Sequence, residues 1–292
     1  MGQLKLQTPV IFGHSHKGLS SGDRIMVLGS CFSDSMGKRM IDLGLEACVN
    51  PFGTLYNPVS VCNSVARLSS RIPFTEAECI MMGSGSDLIC SFSHNTSFAR
   101  KTKEEFLTNA NACLAQASDA WEKASKVIIT LGTAWCFQYN ATGEIVSNCL
   151  KIDGKEFTRK RLVVKEVSVL LENMVSRFPG KEFIFTVSPI RHMADGAHGN
   201  QVSKSTLLLA LEEVCTAFPG RTEYFPAYEI VMDELRDYRF YAPDMVHPSS
   251  QAESYIWDRF EEWAFPESEL PILGERRKAL LRSLHRPNSD RP

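Results

Sequence analysis

Two short segments of the chain contain side chains suited to acyl-transfer chemistry. Ser30 and Cys31 are adjacent nucleophiles in the stretch VLGSCFSDSMG, and Asp244 and His247 lie three residues apart in DMVHPS. A hydroxyl or thiol nucleophile needs an imidazole within reach and an acceptor that orients the imidazole ring. A loop with Asp-x-x-His spacing supplies both groups, although an exposed loop with a helix-capping aspartate has the same spacing.

The sequence around these segments predicts the elements that carry them. Residues 25–29 form an apolar run typical of a buried strand, and a helix is expected from about Asp34, with Ser33 as its N-cap. Ser30 and Cys31 therefore fall in a strand-to-helix turn, where many α/β enzymes present a nucleophile. The pattern SQAE at 250–253 is a capping box that opens another helix directly after the Asp-x-x-His loop.

Predicted strands and helices alternate along most of the chain. This alternation predicts an α/β fold with a mostly parallel sheet between two layers of helices, a three-layer α/β/α arrangement. Ligands of such sheets bind beyond the carboxyl ends of the strands. The polar loops expected at this edge are residues 29–30, 50–57, 132–135 and 188–200, together with 244–249.

The domain organisation follows from where this alternation holds. We expect one domain over residues 21–265, preceded by an N-terminal extension (1–20) and followed by a charged tail (266–292). Two insertions without clean periodicity interrupt the domain near 71–100 and 138–160. The first contains the turn-forming run GSGS and is expected to be irregular or to form a hairpin, and the second contains NATG and is expected to form a polar hairpin.

Composition excludes several classes of function. The chain has 292 residues and a formal net charge of -2, which gives no reason to expect nucleic acid or an acidic membrane surface as a partner. Its start lacks the apolar core of a secretory signal, and no apolar run reaches the length of a membrane helix. The nine cysteines form no CxxC pair, which argues against a structural zinc site and favours reduced thiols in the cytoplasm. No nucleotide-binding glycine motif occurs, and no metal or organic cofactor is expected.

The stretch GSCFS at 29–33 resembles the motif that names the GSCFA family, with Ser33 in place of alanine. The resemblance continues, in order, over about residues 20–265. The further blocks that carry it are NPFGTLYNP (50–58), LGTAW (131–135), EFTR (156–159), TVSPIRH (186–192), YFPAYE (224–229) and DMVHPS (244–249).

GSCFA proteins resemble the SGNH (GDSL-like) hydrolases, which include esterases and carbohydrate deacylases. The resemblance implies a flavodoxin-like sheet, a serine nucleophile after the first strand at Ser30, and an Asp–His pair before the last helix at Asp244 and His247. It also implies an oxyanion hole made by the backbone N–H of Ser30 and by Gly53. The wider family's oxyanion-hole asparagine is absent from GTAW (132–135), so Asn57 or a backbone N–H would have to replace it.

The predicted function is therefore that of a serine hydrolase which cleaves a small-molecule or carbohydrate O-acyl ester. An acyltransferase using the same residues is the first alternative, and a non-catalytic carbohydrate- or partner-binding module is the second. Cys31 is a rival nucleophile, but we expect its thiol to turn toward the core. The residues expected to contact the substrate are His94, Trp135, Arg159, Arg191 and His192.

Overall fold

A parallel five-stranded sheet lies at the centre of the computed structural model, which describes residues 7–284. The described residues contain these strands, five of which form the central sheet and the others two smaller sheets. They are β1 (Arg24–Gly29), β2 (Glu46–Val49), β3 (Ile80–Met81), β4 (Ile89–Cys90), β5 (Lys126–Leu131), β6 (Trp135–Tyr139), β7 (Ile145–Val146), β8 (Phe157–Arg161), β9 (Glu182–Val187) and β10 (Thr222–Tyr224). The helices are α1 (Cys31–Asp42), α2 (Pro58–Ser70), α3 (Lys103–Lys123), α4 (Val164–Arg177), α5 (Gly196–Ala217), α6 (Ala227–Glu229), α7 (Ser250–Ala264) and α8 (Leu270–Leu284).

The strand order of the central sheet is β10-β9-β5-β1-β2, and every neighbouring pair is parallel. Counted along the chain, this order is the flavodoxin-like 2-1-3-4-5 arrangement. The chain reverses its direction of winding between β1 and β5, so the carboxyl ends of these two strands border the crevice where such sheets bind ligands. The predicted three-layer α/β/α fold is confirmed.

Both faces of the sheet are buried, because successive side chains of each strand enter different cores. Met26 and Leu28 of β1 join a core formed with α2, α3, α4 and α5. Ile25 and Val27 join the opposite core with α1 and α7. A strand buried on both faces must be apolar at every position, which explains why β1 is a continuous apolar run instead of an alternating one.

The two insertions carry small antiparallel sheets. In the first, β3 and β4 form a hairpin in which Ile80 pairs with Cys90. In the second, β6 pairs with both β7 and β8. The expected C-terminal tail contains α8, while residues 1–6 of the extension and 285–292 of the tail lie outside the described residues.

Three predicted helix starts differ from the observed ones. Helix α1 begins at Cys31, because Ser30 is its N-cap and accepts a hydrogen bond from the Phe32 N–H at 3.3 Å. Ser33 instead donates its hydroxyl proton to the Leu28 carbonyl at 3.1 Å. The last core helix, α7, is capped one residue earlier than predicted, by Ser249. Helix α5 begins at Gly196, inside the predicted loop 188–200.

Candidate active site

The turn from β1 to α1 is set by Gly29. Its φ is 135°, and a Cβ atom there would lie 2.1 Å from the Thr130 carbonyl oxygen, so no larger residue fits. The Gly29 N–H donates to Asn50 Oδ1 at 2.8 Å, which ties the turn to the end of β2. This fixed backbone makes Ser30 the helix cap and Cys31 the first helical residue.

Cys31, His247 and Asp244 form a connected group of three side chains. Cys31 Sγ lies 3.6 Å from His247 Nε2, and His247 Nδ1 lies 2.6 Å from Asp244 Oδ2. The other carboxylate oxygen of Asp244 accepts the backbone N–H groups of Val246 at 2.9 Å and His247 at 3.0 Å. These backbone hydrogen bonds, followed by the imidazole contact, lower the Asp244 pKa to about 2. The carboxylate is therefore ionised and can orient the imidazole.

The structure does not support Ser30, the predicted nucleophile, at this imidazole, because it does not bring the Ser30 hydroxyl to His247. Ser30 is only 1% exposed, and its Oγ points back to cap α1. The expectation that the Cys31 thiol turns toward the core is also wrong, because Cys31 is half-buried and its sulfur faces His247. The reason is the earlier helix start: a cap residue directs its side chain at the helix N–H groups, so the next residue projects from the first turn.

The Cys31 thiol has a pKa above its usual value. Burial is the main cause, and the nearby Asp34 and Glu253 carboxylates add to it, while the backbone N–H groups of Cys31 and Phe32 oppose it. The thiol is therefore the resting form near neutral pH. A protonated thiol needs a base to become a nucleophile, and His247 is positioned to be that base.

All three predicted oxyanion-hole groups have other partners in the structure. The Ser30 N–H donates to the Thr130 carbonyl at 3.2 Å. The Gly53 N–H donates to the Asn50 carbonyl at 2.7 Å, so this N–H is not free for a substrate oxygen. Asn57 caps α2 by accepting the Ser60 N–H at 2.9 Å, which uses its oxygen and leaves its amide nitrogen as a donor. A role for Asn57 in oxyanion binding stays a prediction. The Cys31 N–H, at the positive end of α1, is a second donor suited to a developing oxyanion.

Sequence reasoning missed Tyr56, whose hydroxyl accepts the Thr54 hydroxyl proton at 3.2 Å. Burial is the main cause that raises the Tyr56 pKa, and contact with the Cys31 sulfur adds to it, so the phenol is neutral and lies beside the Cys31 thiol. The Tyr56 carbonyl also accepts the N–H groups of Gly132 at 2.8 Å and Thr133 at 2.9 Å. The sequence signals for this tyrosine were its place in the strand-end loop 50–57 and in the GSCFA-like block NPFGTLYNP.

Lys204 was also missed, although it is a lysine on the buried face of α5. It is 1% exposed, and its Nζ donates to the carbonyls of Gly132 at 2.6 Å and Ser188 at 2.7 Å. These residues directly follow β5 and β9, so Lys204 joins the ends of two central strands. Burial lowers its pKa to about 7. The available signal was a lysine at helical spacing from Leu207, Leu208 and Leu211.

Three of the predicted substrate-contacting residues, Trp135, Arg159 and His192, lie near the group that contains Cys31 and His247. Arg159 forms an ion pair with Asp195, and its guanidinium lies 5.0 Å from the Trp135 ring centre. The His192 ring packs edge-on against Tyr56, with centroids 5.9 Å apart. Burial, then the nearby cations led by Lys204, lowers the His192 pKa to about 4, so this imidazole is neutral. Whether these side chains contact a substrate stays a prediction.

Arg191 contacts the loop that carries Asp244 and His247. Its backbone N–H donates to the Val246 carbonyl at 3.1 Å, and its Nη1 donates to the Met245 carbonyl at 3.2 Å. The guanidinium also stacks on the Tyr241 ring at 5.5 Å. Arg191 therefore supports the loop that carries His247.

His94 does not belong to this site. It is 0% exposed and lies among four phenylalanines, with the Phe74 ring centre at 4.5 Å and the Phe98 ring centre at 4.6 Å. Burial lowers its pKa to about 3. The structure therefore does not bring His94 to the candidate site, since its ring is fully buried.

Within residues 7–284, no cluster of three or more histidine, cysteine or acidic side chains has the arrangement of a metal site. No helix in this described part has the length and apolar character needed to span a membrane.

The fold and the site together define a three-layer α/β/α protein with a flavodoxin-like strand order and with a thiol, an imidazole and a carboxylate in contact. The GSCFA family profile matches residues 24–260, and the chain belongs to the GSCFA family. A search of curated proteins finds no match.

Two solved structures resemble the chain at low identity. One is a Streptococcus pneumoniae protein named as a platelet activating factor, with 11% identity, a TM-score of 0.43, and coverage of 84% of this chain and 85% of that one. The other is a carbohydrate esterase family 2 enzyme with a carbohydrate binding domain from Corynascus thermopiles (Myceliophthora fergusii). It has 12% identity, a TM-score of 0.39, and coverage of 94% of this chain and 69% of that one. Both TM-scores are below 0.5, so neither likeness bears on the chemistry of this chain.

Proposed function

We propose that this protein is a thiol-dependent acyl hydrolase that cleaves an O-acyl ester of a small molecule or carbohydrate. The observation that carries the proposal is the contact of Cys31 Sγ with His247 Nε2 at 3.6 Å, continued by the 2.6 Å contact of His247 Nδ1 with Asp244. The separation of sulfur and nitrogen is that of a nucleophile and its base before substrate binding.

In the proposed reaction, the Cys31 sulfur attacks the acyl carbonyl while its proton passes to His247 Nε2. Collapse of the tetrahedral intermediate breaks the carbon–oxygen bond, and His247 returns the proton to the leaving alcohol. Water then attacks the thioester, giving its proton to His247, and the carbon–sulfur bond breaks to release the acid and restore the thiol. Asp244 holds the imidazole in the required tautomer throughout.

The oxyanion of each intermediate would be stabilised by the Cys31 N–H at the N-terminus of α1, with the neutral Tyr56 hydroxyl and the Asn57 amide nitrogen as further candidate donors. Each such donor contributes about 10²–10³ in rate in other acyl-transfer enzymes. All nine cysteines are free thiols, and a reducing compartment such as the cytoplasm would keep Cys31 in the form that this reaction requires.

The proposal is tested by mass spectrometry of the protein mixed with p-nitrophenyl acetate. We expect a burst of p-nitrophenol and an acetyl group on the peptide that contains Cys31, both of which disappear in Cys31→Ala. Cys79→Ala is the matched control, because Cys79 is a free thiol in the first insertion, away from the Asp–His loop. Acetylation that persists in Cys31→Ala, or a burst that depends on Cys79, would contradict the proposal.

A further inference from the structure

A cavity of about 340 Å³ lies between the start of α5 and residues 228–241. Its volume falls within the range of small-molecule sites, which is roughly 300–1,000 Å³. Most of its walls are apolar or aromatic. The residues that matter to the argument are Met193, Ala197, Tyr228, Val231, Met232 and Tyr241.

The residues that border this cavity also support the candidate catalytic group. Arg191 lines the cavity and hydrogen-bonds two carbonyls of the loop that carries His247, as described above. Asn200 lines it as well, and its Oδ1 accepts the His192 N–H at 2.9 Å. A ligand held in the cavity would therefore lie directly beside the segments that position the base.

Large apolar side chains are exposed around the same place. Met193 is 37% exposed, Tyr238 is 69% exposed, and both line the cavity. Met245, on the adjoining catalytic loop, is 46% exposed and adopts a φ of 58°, which is uncommon for a residue with a Cβ atom. Contiguous exposed apolar surface marks binding sites, and its burial by hydrocarbon is favourable.

We infer that this cavity binds the acyl chain of the substrate, and that the preferred acyl group is a medium-length hydrocarbon larger than acetyl. The inference rests on the proposed function, because it requires the acyl carbonyl to be held at Cys31. In an ester of a sugar or another polar alcohol, the hydrocarbon belongs to the acyl side. The apolar lining therefore suits the acyl group and not the alcohol.

The test compares p-nitrophenyl acetate, butanoate, hexanoate and octanoate as substrates. For the wild-type protein, kcat/KM should increase from acetate toward octanoate. Ala197→Trp fills the cavity from its exposed mouth and should lower kcat/KM for octanoate by about tenfold or more, with little change for acetate. Ala217→Trp is the matched control, since this alanine is exposed at the far end of the same helix. Met232→Ala should move the preference toward longer chains.

Equal octanoate-to-acetate ratios in the wild type and Ala197→Trp, with hydrolysis still dependent on Cys31, would overturn the inference and leave the proposed function intact. The inference would also be overturned if Ala197→Trp changed the preference among esters that share one acyl group but differ in the alcohol. If no ester is hydrolysed, the proposed function fails. Calorimetric titration with octanoate then decides whether the cavity binds an acyl chain. Saturable binding that Ala197→Trp removes and Ala217→Trp retains would support an acyl site, and absence of binding would reject it.

Discussion

His94 and His247 have the same local geometry in two very different regions. Each imidazole places Nδ1 at 2.6 Å from an oxygen three residues earlier, on Ser91 for His94 and on Asp244 for His247. His94 Nε2 is buried and has no hydrogen-bond partner among residues 7–284, whereas His247 Nε2 faces the Cys31 thiol. A neutral hydroxyl cannot balance an imidazolium in an apolar cluster, but an ionised carboxylate at an exposed loop can.

The comparison shows that spacing alone does not make a histidine a base. A base must be able to gain a proton, so it needs a partner of negative charge and access to the proton donor. His247 has both, and His94 has neither. His94 instead fills the core beneath the first insertion, where its neutral ring packs against phenylalanines.

The largest expected effect concerns the residue that faces His247. Cys31→Ala should lower kcat/KM for an activated ester by about 10³-fold or more, because it removes the attacking atom. Ser30→Ala should retain most of the activity and lower the free energy of unfolding by about 1 kcal/mol, through loss of the α1 cap. Steady-state kinetics and urea denaturation of both variants measure the two effects. Full activity in Cys31→Ala would mean that His247 serves another group.

The second expected effect distinguishes the two side chains that contact the imidazoles, Asp244 at His247 and Ser91 at His94. Asp244→Asn should lower kcat by about 10²-fold or more, because a neutral amide neither stabilises the imidazolium nor fixes its tautomer. Ser91→Ala should leave kcat nearly unchanged but destabilise the fold by about 1–3 kcal/mol, since buried His94 loses its partner. The same two assays apply. A large loss of activity in Ser91→Ala would show that the His94 region is coupled to the site.

A third prediction concerns the state of the thiol before substrate binds. Because the Cys31 pKa is raised above its ordinary value near 9, the thiolate fraction should increase about tenfold per pH unit between about pH 7 and pH 9. The rate of iodoacetamide alkylation, measured on the peptide that contains Cys31, should increase in parallel. A rate that is constant over this range would instead indicate a resting thiolate.

The smallest expected effect is on acid stability. The folded-state pKa of His94 is about 3, while an unfolded histidine titrates near about 6.5. Below about pH 6.5 the unfolded chain binds a proton that folded His94 does not, so stability is complete above this pH and falls as the pH decreases toward 3. The slope is at most about 1.4 kcal/mol per pH unit for this group. Urea denaturation at pH 7.5 and pH 5 should show a smaller decrease for His94→Leu than for the wild type, and an equal decrease would contradict this account.

Much of the fold could be predicted from the sequence because it depends on short-range patterns. Apolar runs such as residues 25–29 are long enough for strands but too short for helices, and they alternate with amphipathic helices. The run TKEE at 102–105 has the spacing of a capping box, and Thr102 accepts the Glu105 N–H at 3.1 Å as the cap of α3. Residues 196–200 belong to the predicted loop 188–200, because two glycines and a histidine weaken the helical pattern, yet tertiary packing makes them the first turn of α5.

The sequence by itself determined the parallel α/β fold, the strand-end loops and the Asp244–His247 pair, whose contact is local and follows from a spacing of three residues. Only the tertiary structure decided which neighbour, Ser30 or Cys31, faces that pair. The answer depends on where α1 begins, and the close approach of Gly29 to Thr130, with its hydrogen bond to Asn50, fixes that point. These contacts join segments far apart in the chain, so no local pattern encodes them, and a shift of one residue in a helix start turns a different side chain toward the imidazole.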